Sequence, residues 1–149
     1  ELGYNYRLTN LQAALGVAQI QRMDQIVARK RWMGAAYTHS LTGIAGLQLP
    51  VEEPWARQVY WMYGLVLDES TGYDAAGFAR RLHDDGVETR PFFLGMHEQP
   101  VFQQMGLFRG EHYPVAERLA RQGLYLPSGL GLTEQQLEEV CAVVHKTLS

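Results

Sequence analysis

Cysteine and lysine are scarce in this 149-residue sequence: one Cys141, and only Lys30 and Lys146. A single cysteine excludes an intrachain disulfide and any zinc cluster built on thiolates, which fits a reducing compartment, and the cytoplasm is the expected location. No apolar run reaches the roughly 18 residues that a bilayer-crossing helix needs, so a soluble chain with no membrane partner is expected. A formal net charge of −3, with basic residues dispersed among acidic ones, offers no field to hold a phosphate backbone, and nucleic acid is not an expected partner. The chain lacks an initiating Met, a basic leader and an apolar leader core. Its polar start, running straight into a capped helix, suggests a segment of a longer protein. Gly-rich phosphate loops, zinc-protease helices and nucleophile elbows are also absent, and Gly129 and Gly131 read as turn glycines.

What remains is an ordinary globular composition, 46% hydrophobic and 19% charged, at a length that suits one domain. Thr9-Asn10-Leu11-Gln12 has the spacing of a capping box and starts a helix. Apolar residues at Leu11, Leu15, Ala18, Met23, Ile26, Met33, Tyr37 and Leu41 extend it as one continuous helix to about Leu41. At about 1.5 Å per residue such a helix is too long for this chain to cover on every side. Leu47–Leu49 is a short extended piece before a Pro-flanked acidic loop, and aromatic and β-branched residues make Val59–Leu67 a strand. Asp74 caps a helix carrying Phe78 and Leu82 that Gly86 stops; Val87–Arg90 is extended ahead of Pro91. Pro114 opens a helix carrying Val115 and Leu119, Leu124–Leu126 is a third strand, and Thr133–Gln136 is a second capping box that launches a helix with Leu137, Val140, Cys141, Val144 and Leu148 on one face. The expected class is α+β: a long first helix and a small sheet of about three strands covered by helices.

Three stretches can carry chemistry. Gly3-Tyr4-Asn5-Tyr6-Arg7 places an amide and a guanidinium at a helix N-terminus, where an anion is favoured; plain packing of the tyrosines and a turn at Asn5 is the other reading. Arg90-Pro91-Phe92-Phe93-Leu94-Gly95-Met96-His97 is a strand end followed by a loop mixing apolar and polar tips, suited to a binding wall or to core phenylalanines and a capping histidine. The four aromatics between Trp55 and Tyr63 suit a core or a subunit interface better than a base-stacking platform. Of the two lysines, Lys30 sits among cations in Ala28–Arg31 and reads as a solvated surface group; Lys146 complements the dipole of the last helical turn. Neither has an evident pocket.

Taken together, these stretches resemble the DegT/StrS family of sugar aminotransferases. The resemblance rests on Gly3–Ala14, Val59–Tyr63, Gly86–Phe93 with Met96-His97, and Tyr113–Ala120 followed by Leu126-Pro127-Ser128. It implies the C-terminal small domain of a fold-type I transferase dependent on pyridoxal phosphate, spanning residues 1–149, with glutamate as amino donor and a nucleotide-linked keto-sugar as acceptor. It also implies a homodimer, with Asn5 and Arg7 reaching the cofactor phosphate of the partner and Arg90, Phe92, Phe93 and His97 lining the sugar cleft. Gly95 stands where a proline is usual before the Met-His pair. The Schiff-base lysine and the aspartate for the pyridine nitrogen are expected in a large domain outside this chain, leaving the segment catalytically incomplete and with no catalytic residue of its own. A stand-alone module that binds nucleotide sugar without catalysis is the alternative.

Overall fold

The computed structural model describes residues 7–149, and Asn5, among the residues singled out above, lies outside that range. Thr9 Oγ1 accepts from the Gln12 amide while Gln12 Oε1 accepts from the Thr9 amide, so the first capping box is made. It opens α1, Asn10–Ile20. The single long helix expected from the apolar stripe is instead two: the backbone breaks at Gln21 and Arg22, and α2 runs Met23–Leu41. The stripe itself marks the place. Ala18 and Met23 are five residues apart, which at about 100° per residue rotates the apolar face by about 140°. On the far side of that slip Met33, Gly34, Tyr37 and Leu41 are buried, whereas α1 has no buried residue and exposes Leu11, Leu15, Val17 and Ile20.

Among the described residues four short strands form one antiparallel sheet in the order β1-β2-β4-β3: β1 Leu47–Gln48, β2 Tyr63–Leu67, β3 Arg90–Pro91 and β4 Gly123–Leu126. The piece at Leu47 pairs with Leu67 and supplies an edge, so the sheet has one strand more than expected. β2 is shorter than the predicted Val59–Leu67 because Tyr60 turns to a φ of 48°, folding its ring back over Gly34. Val87, expected in a strand, is buried and closes the preceding helix through its amide to the Leu82 carbonyl. Pro91, with no amide proton to give, is tolerated because β3 is the outer strand.

Alternation along β2 and β4 sends Tyr63, Leu65, Leu67, Leu124 and Leu126 to one face, where α2, α3 (Ala75–Asp84) and α6 (Glu134–Leu148) bury them. Phe78 and Leu82 of α3, and Leu137, Val140, Cys141 and Val144 of α6, complete this layer as the predicted faces require. Tyr37 and Tyr63 lie with ring centroids 4.9 Å apart and keep their hydroxyls bonded, to the Pro127 carbonyl and to Thr38 Oγ1, each at 2.8 Å. Burial pushes the Tyr63 phenol up to about 12 and the Tyr37 phenol higher still, so both remain neutral. α4 (Pro100–Gln104) was not foreseen. α5 (Pro114–Gln122) begins at the predicted proline but has no buried residue: of the two apolar residues it was expected to carry, Val115 is exposed and Leu119 half-buried.

Replacing a helical glycine by alanine ordinarily stabilises by about 1 kcal/mol. At Gly34 the sign reverses, because a Cβ would sit 2.6 Å from the Tyr60 ring. Gly34→Ala is expected to cost about 1–3 kcal/mol in thermal or urea unfolding, and Gly34→Ala with Tyr60→Ala to cost less than the sum of the two single changes.

Candidate functional site

Of the sequence-predicted residues, Arg90 and Phe92 come together at the sheet face opposite the core, whereas Arg7, Phe93 and His97 do not join them there. Leu124 and Leu126 point inward, so Tyr125 points out, and the register pairs it with both Gly64 and Arg90. Phe92 packs its ring on Tyr125, centroids 4.4 Å apart, across Gly64, where a Cβ would meet Phe92 at 2.8 Å. Glycine at 64 is therefore what leaves room for the phenylalanine ring against the sheet. Tyr125 was not among the predicted residues, although the Leu-Tyr-Leu alternation carries the signal.

Arg90 and Phe92 stand on either side of Tyr125 and open onto different hollows. Arg90 lines a cavity of about 480 Å³ with Lys30, Trp61, Tyr125 and Ser128, and Phe92 lines one of about 310 Å³ with Leu49, Met62 and Val66. Lys30 belongs to this site, and the reading of it as a freely solvated surface lysine is corrected. Its Nζ donates to the Trp61 carbonyl at 3.0 Å and to the Ser128 carbonyl, and burial lowers its pKa. Helix α2 presents its three consecutive cations to two loops, the one between β1 and β2 and the one after β4, which charge spacing alone does not reveal. Arg29 donates to the Leu132 carbonyl, and Arg31 to both Glu52 oxygens at 3.0 Å and to the Gln58 carbonyl at 2.5 Å. An ammonium has three protons, two of which Lys30 spends on carbonyls. Among the described residues no carboxylate pairs with Arg90. The cavity thus holds two cations with hydrogen-bonding capacity left for an anion and an aromatic wall beside them, while the Glu88 carboxylate, also on its lining, is engaged by His83 Nδ1 at 2.9 Å.

Phe93 is 73% exposed, whereas His97 is 7% exposed and meets α5. Its Nε2 lies 3.2 Å from Glu117 Oε1, and since an ionised carboxylate only accepts, that nitrogen carries the proton. The Tyr113 ring sits edge-on to the imidazole at 4.8 Å. Gly95 makes room for this arrangement, because a Cβ there would fall 2.6 Å from His97 Cε1. Glu117, like Lys30, was missed; a carboxylate in the first turn after Pro114 was its signal. Arg7 is exposed two residues before the Thr9 cap of α1. Lys146 is held by Asp85 Oδ1 at 2.8 Å.

The DegT/DnrJ/EryC1/StrS aminotransferase family model matches residues 1–145. GDP-perosamine synthase of Vibrio cholerae is 33% identical over 140 residues, 94% of this chain and 37% of that protein. The enzyme of the same name from Caulobacter vibrioides is 32% identical over 148 residues, 99% and 39%. Among solved structures, the aminotransferase TlmJ of Streptoalloteichus hindustanus superposes with a TM-score of 0.78 at 28% identity over 92% of this chain and 36% of that one. DesV of S. venezuelae, solved in complex with a ketimine intermediate, gives 0.81 at 26% identity over 99% and 38%. The chain spans under two fifths of the length of each of these relatives.

Two carboxylates tie the loop after Phe93 to α5, and both are held below the ordinary value of 4.5. For Glu98 the main cause is the hydrogen bond from Arg121; for Glu117 it is the Tyr113 amide, with the His97 bond adding to it. A carboxylate whose folded pKa is depressed contributes stability that is present above its unfolded value and lost as pH falls through the folded one. Hydrogen exchange of residues 94–99 is therefore expected to be insensitive to acid down to about pH 4.5 and to accelerate below it, beyond the intrinsic pH dependence and ahead of α2 and α6.

Proposed function

The chain belongs to the DegT/DnrJ/EryC1/StrS aminotransferase family, and from that premise we propose that it is the C-terminal small domain of a longer aminotransferase dependent on pyridoxal phosphate. The whole enzyme converts a nucleotide-linked keto-sugar to an amino-sugar, of the perosamine type, taking the amino group from glutamate. The observation that supports this reading is the cavity between α2 and the β3–β4 edge, where Lys30 and Arg90 face a common space beside Tyr125. Two cations beside an aromatic wall suit the diphosphate of a nucleotide sugar, and across Tyr125 the neighbouring hollow lined by Phe92, with the exposed Phe93 after it, offers the apolar surface that a base or deoxysugar requires.

Pyridoxal phosphate, when bound, supplies the electron sink for moving an amino group between glutamate and the sugar. The lysines of this chain do not fit its covalent attachment. Lys30 is spent on two peptide carbonyls, and Lys146 is paired with Asp85 on the last helix. In this proposal the attachment site lies in the large domain, and this segment contributes binding and shape. Asn5 first and Arg7 second are the proposed contacts to the cofactor phosphate of a partner subunit in a homodimer, and Arg7 offers a cation just ahead of the N-terminus of α1. The exposed apolar residues of α1, together with Trp55 and Trp61, are the surfaces proposed to meet the large domain and the second copy.

The full reading frame that carries this chain should purify with a visible absorption band that bleaches on addition of glutamate. In that protein Arg90→Ala is expected to raise KM for the nucleotide sugar by about tenfold, the size of one lost charge-assisted bond, with kcat changed far less. A protein without the band, ending at these 149 residues and binding a nucleotide sugar unaided, would overturn the aminotransferase reading.

A further inference from the structure

The segment Phe93–Met96 leaves the cleft wall as a strap fastened at both ends to one continuous piece of chain. At its start, the Phe92 amide donates to the Gly123 carbonyl where α5 passes into β4. At its end, His97 bonds Glu117 and Glu98 takes both terminal nitrogens of Arg121, one helical turn further along α5. Glu117 is itself fixed to the start of α5 by the Tyr113 amide at 2.8 Å. Between the two fastenings the strap holds Phe93, Leu94 and Met96 out to solvent.

Global stability does not account for the Glu98–Arg121 half of the second fastening. The Arg121 side chain is 57% exposed against 19% for Glu98, and an ion pair open to water on one side contributes little to folding as a whole. What the pair does achieve is geometric: consecutive residues of the strap grip residues four apart on a helix, which leaves the strap one position relative to β4. Building a binding surface in advance lowers the ordering cost that a ligand otherwise meets. We propose that Glu117 and Arg121 are positioning residues, which act through His97 and Glu98 to hold the Phe92–Phe93 wall in place for the nucleotide-sugar ligand. This rests on the reading of the cleft given above.

The test uses the full-length enzyme titrated calorimetrically with GDP-mannose and with dTDP-glucose as probes, whichever binds being carried forward, alongside the melting temperature of each variant. Glu98→Arg and Arg121→Glu are each expected to weaken binding about fivefold, and the exchanged pair Glu98→Arg/Arg121→Glu to return it to within about twofold. Glu117→Gln, which keeps an acceptor, should weaken binding less than Glu117→Ala, and Gly95→Ala, which crowds His97, should resemble Glu117→Ala. Melting temperatures should stay within about 3 °C throughout the Glu98–Arg121 series. Arg90→Ala separates the two ideas. If it weakens binding while the clamp variants bind like the parent, the clamp is overturned and the cleft stands. If the clamp variants lose binding only in step with melting temperature and the exchange restores neither, the clamp is merely structural and the proposal is overturned. If neither probe binds, or Arg90→Ala changes nothing, the cleft reading fails and takes the proposal with it.

Discussion

The loop that leaves β4 carries carbonyls that no strand partner satisfies, and the rest of the domain depends on α2 satisfying them. Tyr37 donates to Pro127, Lys30 to Ser128 and Arg29 to Leu132. A carbonyl left bare in a half-buried position costs about 1–3 kcal/mol, and three in one loop would leave its path unspecified. Because α6 starts at the Thr133 cap directly after Leu132, the same contacts set where the last helix enters the core. Its other end returns to α2 through His145 Nε2 and the Ser40 carbonyl, 2.8 Å apart. Helix α2 is thus bonded to α6 or its approach at both ends, with the tyrosine pair buried between them.

The electrostatics of the cleft follow from this arrangement. A lysine drawn against two peptide carbonyls is a partly desolvated cation, which lowers its pKa and strengthens its interaction with any anion that enters. Arg90 arrives from a different direction, on the outer strand, and Tyr125 between them comes from the strand whose inward leucines fill the core. Core packing and cleft geometry are therefore two faces of the same four residues, Gly123–Leu126. Phe92 reaches its place only because Gly64 and Gly123 present no side chain beneath it. The strap that follows inherits its position from there and from α5.

Much of the fold was legible in the order of residues. Both threonine capping boxes, the Pro114 helix start, the Gly86 stop with φ of 88° and the apolar face of α6 all stand where the spacing put them. The divided first helix was legible too, in the five-residue step from Ala18 to Met23, though length and stripe together pointed to one helix. The shortened β2 was not. Tyr60 adopts a left-handed backbone because a glycine 26 positions earlier leaves a hollow for its ring, and nothing local announces that. Of the site, Arg90 and Phe92 were visible as a strand end and its loop, but the inward turn of His97 toward Glu117 was not.

Sequence alone determined what depends on neighbours within about four positions, the caps, the turn glycines and the apolar faces of α3 and α6, and it carried the family pattern that runs through the chain. It also determined that only two lysines exist to be considered. The tertiary structure decided what those lysines do, and which polar groups meet. Lys30 and Ser128 are 98 residues apart, Arg29 and Leu132 are 103, and His97 and Glu117 are 20. The physical reason is that a charged side chain in isolation is best served by water. It gives up that water only where packing brings a fixed acceptor within reach, and the position of that acceptor is a property of the folded core.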